Sequence, residues 1–199
     1  MRKFLFILAL LFALVAYGYY GYQTKVTRFD LPEGELKWSN ERPSNAKMCL
    51  PAAFTDTKGR VMGTYRINGK TLGSHNKRMR TVSLRDDTFI ITNGWRSDNG
   101  FQQLTLVLDS KPKKFHKDSE RHIRRALCKK NGEAFILQSN YPMTLTAFAN
   151  YCSKQCDNAA YLDMGEYGYG YIKSRFICRP LFIWGIFTKH KQTNWIYIE

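Results

Sequence analysis

Two carboxylates stand three residues apart in the stretch Ala159-Ala160-Tyr161-Leu162-Asp163-Met164-Gly165-Glu166-Tyr167. Asp163 follows four residues that read as a buried strand, so it stands at that strand's carboxyl end, and Glu166 lies inside the turn that follows. A strand end holds an acid rigidly, and a glycine such as Gly165 lets a substrate come close to the backbone. Two carboxylates at one site can divide the work of glycoside cleavage: one stabilises or attacks the anomeric centre and the other activates or positions water. An Asx-type turn at Asp163 beside a solvated Glu166 gives the same pattern, so spacing alone leaves both readings open. Tyr167, Tyr169 and Tyr171 alternate after the acids and, with Trp95 and Trp184, have the makings of a sugar-stacking platform. Core packing is the commoner use of such rings, and it is the expectation for Trp184 and Trp195.

The order of features from Met48 to Gly165 resembles the phosphodiester glycosidase family. An early strand element, Cys49-Leu50-Pro51-Ala52-Ala53-Phe54-Thr55, is followed by Gly63-Thr64-Tyr65-Arg66-Ile67-Asn68-Gly69-Lys70. The family's arginine element is matched by Arg124-Arg125-Ala126-Leu127-Cys128. Its helix is matched by Thr144-Leu145-Thr146-Ala147-Phe148-Ala149, and its Leu-Asp-Gly-Gly-Gly-Ser turn by Leu162-Asp163-Met164-Gly165-Glu166-Tyr167. Pro51 stands where the family has asparagine, Cys128 where it has a small residue, and Met-Gly-Glu-Tyr replaces Gly-Gly-Gly-Ser.

This resemblance implies a hydrolase of sugar-1-phosphate diesters. Its leaving group, a phosphate monoester, is already acidic and gains little from protonation. The resemblance then implies that Asp163 stabilises or attacks an oxocarbenium-like centre and that Glu166 positions water or acts as base. Arg124 would clamp phosphate oxygens in its planar fork, with Gly165 and Tyr167 in contact with substrate. The altered turn leaves a second reading open, a non-catalytic membrane-anchored module that binds anionic glycans or polymers.

The elements that must position these residues are mostly short β-like runs broken by turn signals. Met48–Phe54, Val61–Ile67, Arg80–Leu84, Thr88–Thr92 and Gln102–Leu108 come first, the last with Leu104, Leu106 and Leu108 alternating onto one face. Asn68-Gly69 and Asn131-Gly132 are hairpin signals. One helix is marked by Thr144 as N-cap and by an apolar stripe at Leu145, Phe148, Ala149 and Cys152; it is expected to end near Asp157-Asn158. Tyr171–Phe176, Leu181–Phe187 and Trp195–Ile198 read as closing strands. Together these predict a sheet-dominated α+β domain over residues 48–199, a spacer over 23–47 and a membrane-targeting segment over 1–22.

That first segment carries Arg2 and Lys3 and then no charge from Phe4 to Tyr22. Its length suits an anchor helix, and Ala16-Tyr17-Gly18 suits a cleavage site, so both an anchored and a secreted product are open. Either way the domain is expected outside the cytoplasm. With 31 Lys and Arg against 16 Asp and Glu the net charge is +15. This favours polyanionic partners, and export points to anionic lipid or phosphorylated glycan. Nine of the cations crowd into residues 111–130, but no nucleic-acid recognition motif accompanies them. The five cysteines form no Cys-x-x-Cys pair, and His75, His116, His122 and His190 show no ligand spacing. Buried or free thiols are therefore expected, with no metal and no cofactor.

Overall fold

The computed structural model describes residues 25–116, 118–164, 170–173, 175–177 and 193–199. The membrane-targeting segment expected over residues 1–22 lies outside them. Among the described residues no helix is long and apolar enough to cross a membrane.

The strands in chain order are β1 (Val26–Asp30), β2 (Leu36–Ser39), β3 (Met48–Pro51), β4 (Thr64–Ile67), β5 (Lys70–Gly73), β6 (Arg80–Arg85), β7 (Thr88–Thr92) and β8 (Asn99–Gln103). There follow β9 (Thr105–Leu108), β10 (Lys111–Pro112), β11 (Arg125–Lys130), β12 (Glu133–Ser139), the helix α1 (Leu145–Cys152), β13 (Asn158–Leu162), β14 (Gly170–Ile172), β15 (Arg175–Ile177) and β16 (Trp195–Ile198). They build three antiparallel sheets. The first is ordered β1-β12-β11-β13-β9-β10, the second β15-β14-β3-β16-β2 and the third β5-β4-β8-β6-β7.

The central strands β11, β12 and β13 of the first sheet are buried on both faces, so their middles are short unbroken apolar runs, residues 126–128, 135–137 and 159–162. One face, with Leu127, Ile136, Ala160 and Leu162, joins Leu50 and Ile196 of the second sheet and Val82 and Phe101 of the third in one core. The other face, with Ala126, Cys128, Phe135 and Tyr161, packs against Phe148, Ala149 and Cys152 of α1. Thr144 caps that helix as its spacing predicts, accepting from the Ala147 amide. Asp118 adds a second cap, its carboxylate accepting from the amides of Leu145 at 3.0 Å and Thr146 at 2.5 Å. Burial works to raise the Asp118 pKa, but these amide bonds outweigh it and leave the group below the usual carboxylate range. The helix stops at Cys152, earlier than the sequence suggests: the Lys154 and Gln155 amides donate only three residues back, to the Tyr151 and Cys152 carbonyls, which tightens the chain out of the α-helix.

Both Asn-Gly signals close hairpins, with φ of 48° and 79° at Asn68-Gly69 and 52° and 92° at Asn131-Gly132. Positive φ at both positions matches the right-handed twist of the flanking strands.

Three expectations change. Residues 23–47 are not only a spacer: β1 pairs with β12, and β2 pairs with β16, placing Leu36 and Trp38 in the shared core. The run Gln102–Leu108 is not one strand. It breaks at Leu104, whose amide donates to its neighbour's Gln103 Oε1 at 2.8 Å while its carbonyl accepts from the Tyr161 amide at 2.9 Å. The chain thereby leaves the third sheet as β8 and enters the first as β9, a corner of the kind that joins packed sheets. Tyr171–Phe176 is a hairpin rather than a single strand, with β14 and β15 paired about a turn that includes Lys173 at φ 48°. Leu181–Phe187 lies outside the described residues.

Candidate active site

β13 runs between β11 and β9 in the middle of the first sheet. Its small residues Ala159 and Ala160 are fully buried, and Leu162 faces the core shared by all three sheets. Asp163 is the next residue and is partly exposed, while Met164 is buried again. The Asp163 amide donates to the Ala52 carbonyl at 2.8 Å, one residue beyond the end of β3. The sequence expectation of a carboxylate at the end of a buried strand is therefore met in position.

Gly165, Glu166 and Tyr167 lie outside the described residues, as do Tyr169 and Trp184. The chain returns at Gly170, where a Cβ would come within 2.6 Å of the Cys49 carbonyl and 2.7 Å of Leu50 Cδ2. Only glycine permits that approach, so Gly170 is held closely against β3.

Ala52 and Ala53, both fully buried, continue β3 next to Asp163. The Ala52 carbonyl also accepts from Gln103 Nε2 at 3.1 Å. Asn194, fully buried, brackets Ala53: its Oδ1 accepts from the Ala53 amide at 2.6 Å and its Nδ2 donates to the Ala53 carbonyl at 3.0 Å. Gln103 and Asn194 had no signal in the sequence, since an amide side chain in a strand shows its partner only when the fold brings that partner near.

The arginine element divides in two. Arg124 is 7% exposed. Its guanidinium donates to the Met143 carbonyl at 3.1 Å, the Glu120 carbonyl at 2.9 Å and the Tyr161 hydroxyl at 3.4 Å. Its main-chain amide donates to Ser139 Oγ at 2.7 Å. This geometry ties the 118–124 segment to the α1 side of the first sheet. Arg124 is thus not part of a solvated basic face, and three of its donors are already engaged by protein oxygens.

Arg125 was not singled out in the sequence and is the better placed cation. It pairs in register with Leu162 of β13, is fully buried, and donates from Nε and Nη2 to Gln138 Oε1 at 2.9 and 2.7 Å. Arg125 is thus paired with the last residue of the strand, one residue before Asp163, and a buried guanidinium favours negative charge nearby, whether carboxylate or phosphate.

The aromatic platform is not assembled as a unit among the described residues. Arg66 lies over Trp95 at 5.1 Å, whereas Arg42 lies over Tyr171 at 5.9 Å and over Trp195 at 5.5 Å. Trp195 is buried, as expected. The rings of Phe54 and Tyr161 pack in a tilted arrangement with centroids 5.3 Å apart.

Cys49, Cys128, Cys152 and Cys156 are buried and free, and Cys178 lies outside the described residues. Burial, followed by the neighbouring thiols of Cys152 and Cys156, holds the Cys128 pKa well above its usual range. Burial raises Cys49 to about 11 against the opposing effect of Arg42. These thiols are unsuited to nucleophilic work at neutral pH. Among the described residues no three His, Cys, Asp or Glu side chains are arranged to hold a metal ion.

The chain is similar in structure to the zebrafish N-acetylglucosamine-1-phosphodiester alpha-N-acetylglucosaminidase catalytic domain, auto-inhibited by its pro-peptide. The TM-score is 0.57 at 14% identity, over 84% of this chain and 73% of that one. A hypothetical protein from Synechocystis aligns with a TM-score of 0.49 at 9% identity, over 90% of this chain and 58% of that one. No family model and no curated protein matches the sequence. The likeness to the zebrafish domain is one of fold, a distant structural relationship.

The bonding of Arg124 makes a direct prediction. Arg124→Ala should lower the unfolding free energy by about 2–4 kcal/mol, because it strands two carbonyls and a hydroxyl that accept from a charged donor. Urea denaturation checks this, and wild-type stability in the variant would contradict the structural role.

Proposed function

We propose that the chain is an exported hydrolase of glycosyl phosphodiesters, distantly related to the phosphodiester glycosidases, with Asp163 as the carboxylate that acts at the anomeric carbon. The observation that carries this reading is the placement of Asp163. It follows a central strand buried on both faces, its amide is tied to Ala52, and the surrounding fold is like that of a glycosidase catalytic domain.

In this reading the sugar sits with its anomeric carbon facing the partly exposed Asp163. The C–O bond to phosphate breaks, the phosphate monoester leaves with the bonding pair, and positive charge develops on the ring. The carboxylate stabilises that charge or captures the carbon, and water then supplies the new hydroxyl. Glu166 positions that water or takes its proton, Gly165 allows close approach, and Tyr167 offers a face to the sugar. Buried Arg125 contributes a positive field for the departing phosphate. Arg124 acts by holding Tyr161 and the 118–124 segment rather than by gripping substrate. The chemistry requires no cofactor.

Export is part of the same proposal. It is supported by the charge-free run from Phe4 to Tyr22 behind Arg2 and Lys3, whose charge favours an inside N-terminus. The net charge of +15 supports a phosphorylated glycan or another anionic surface polymer as the partner. Protease added outside intact cells or spheroplasts should digest the domain, and full protection would argue against this topology.

Asp163→Asn should reduce turnover of a sugar-1-phosphodiester by at least about 10²–10³, with an unchanged melting temperature, because size is kept and only the charge is lost. Glu166→Gln should cost less if the residue only positions water. Retained activity in a folded Asp163→Asn protein would refute the assignment. Wild-type protein inert on all such substrates would favour the binding module, which the altered turn after Asp163 already allows.

A further inference from the structure

A cavity of about 590 Å³ opens beside the second sheet, and Arg42, Lys47, Lys173, Tyr171, Ser44 and Pro32 are among its lining residues. Three of these are cations, and none of the described lining residues is a carboxylate. The cations are held in place by the fold. Arg42 lies over the rings of Tyr171 and Trp195, and Trp195 is only 2% exposed. The Lys47 amide donates to the Ile198 carbonyl at 2.7 Å, and the Lys173 amide donates to the Lys47 carbonyl at 2.9 Å, so the two lysines are backbone neighbours. Lys47 Nζ reaches the main-chain carbonyl of Glu33 at 3.2 Å. The two lysines, brought together by the backbone, repel each other, and the described lining supplies no carboxylate beside them.

We propose that this cavity is a phosphoryl-binding site separate from the candidate active site. Its described lining includes neither Asp163 nor Ala52: Lys47 immediately precedes β3, whereas Ala52, whose carbonyl holds the Asp163 amide, immediately follows it, so the lysines and Asp163 stand at opposite ends of that strand. Arg42 offers a planar fork suited to two phosphate oxygens, while the lysines act as point charges. The Ser44 hydroxyl supplies a further donor, and the Tyr171 ring gives a sugar or other flat group a wall to lie against. The ligand class is a sugar phosphate or a chain-borne phosphodiester. This site goes beyond the hydrolase reading, and it stands or falls independently of turnover at Asp163.

Calorimetric titration of the full chain with inorganic pyrophosphate tests it, with N-acetylglucosamine as the neutral control. Saturable binding that weakens as sodium chloride is added is expected. The double variant Lys47→Gln, Lys173→Gln leaves Arg42 on its rings and should bind about tenfold more weakly. Arg42→Gln should weaken binding as well. Lys70→Gln with Lys77→Gln removes the same charge from exposed positions around the third sheet and should leave binding unchanged. Equal loss in that control, full affinity in the cavity double variant, or no saturable binding by the wild type would overturn the assignment. Competition between pyrophosphate and phosphatidylglycerol vesicles would identify a lipid headgroup as the source of the phosphoryl group; its absence would identify a soluble or glycan-borne phosphate.

Discussion

The carbonyl of Ala52 is the point on which this structure turns. It accepts from Gln103 of β8, where the third sheet hands the chain to the first, and from the amide of Asp163 at the end of β13. Ala52 itself continues β3 of the second sheet, so one buried oxygen ties all three sheets together. Asn194 holds the next residue, Ala53, through both its amide and its carbonyl. Both alanines are fully buried. Groups of this kind cannot fall back on water, and losing any partner leaves a buried polar atom unsatisfied. The position of the candidate catalytic acid therefore depends on main-chain and amide bonds, with no reliance on a flexible loop.

The two-sided burial of the first sheet follows from the same constraint. A strand that carries a functional carboxylate at its end must not slip in register, because a one-residue slip sends every side chain to the opposite face. Leu162 and Ala160 are committed to the core shared by the sheets, and Tyr161 and Ala159 to the core beneath α1. Either slip would bury the wrong residue on both sides. Arg125 fits this arrangement: it occupies the inner face opposite Leu162 and is braced by Gln138. The +15 charge of the chain is thus not all solvated, since two of the cations in the 111–130 run go into the interior.

What the sequence made legible was local. The Asn-Gly turns demand positive φ at adjacent residues, Thr144 caps a helix whose apolar stripe has the helical period, and the run before Asp163 is too apolar to be anything but buried. What it hid depends on distant partners. β1 and β2 are edge strands with mixed burial, and their ladders exist only because β12 and β16 lie alongside. The bend at Leu104 depends on Gln103 and Tyr161, residues that alternation of leucines says nothing about. Arg124 and Arg125 sit in a basic run whose pattern reads as solvated, and their burial is set by Met143, Tyr161 and Gln138 across the sheet. Of the candidate site, the position of Asp163 was readable, whereas the bonds of Ala52 and Ala53 to Gln103 and Asn194 were not.

In the proposed function the carboxylate at the end of β13 acts on the carbon of a sugar–phosphate linkage and not on its phosphorus. Hydrolysis of an N-acetylglucosamine-1-phosphodiester in ¹⁸O-labelled water separates these outcomes by mass spectrometry of the two products. Attack at the anomeric carbon places the label in the sugar hydroxyl and leaves the phosphate monoester unlabelled, which is the predicted result. Label recovered in the phosphate would mean P–O cleavage and would contradict the role given to Asp163.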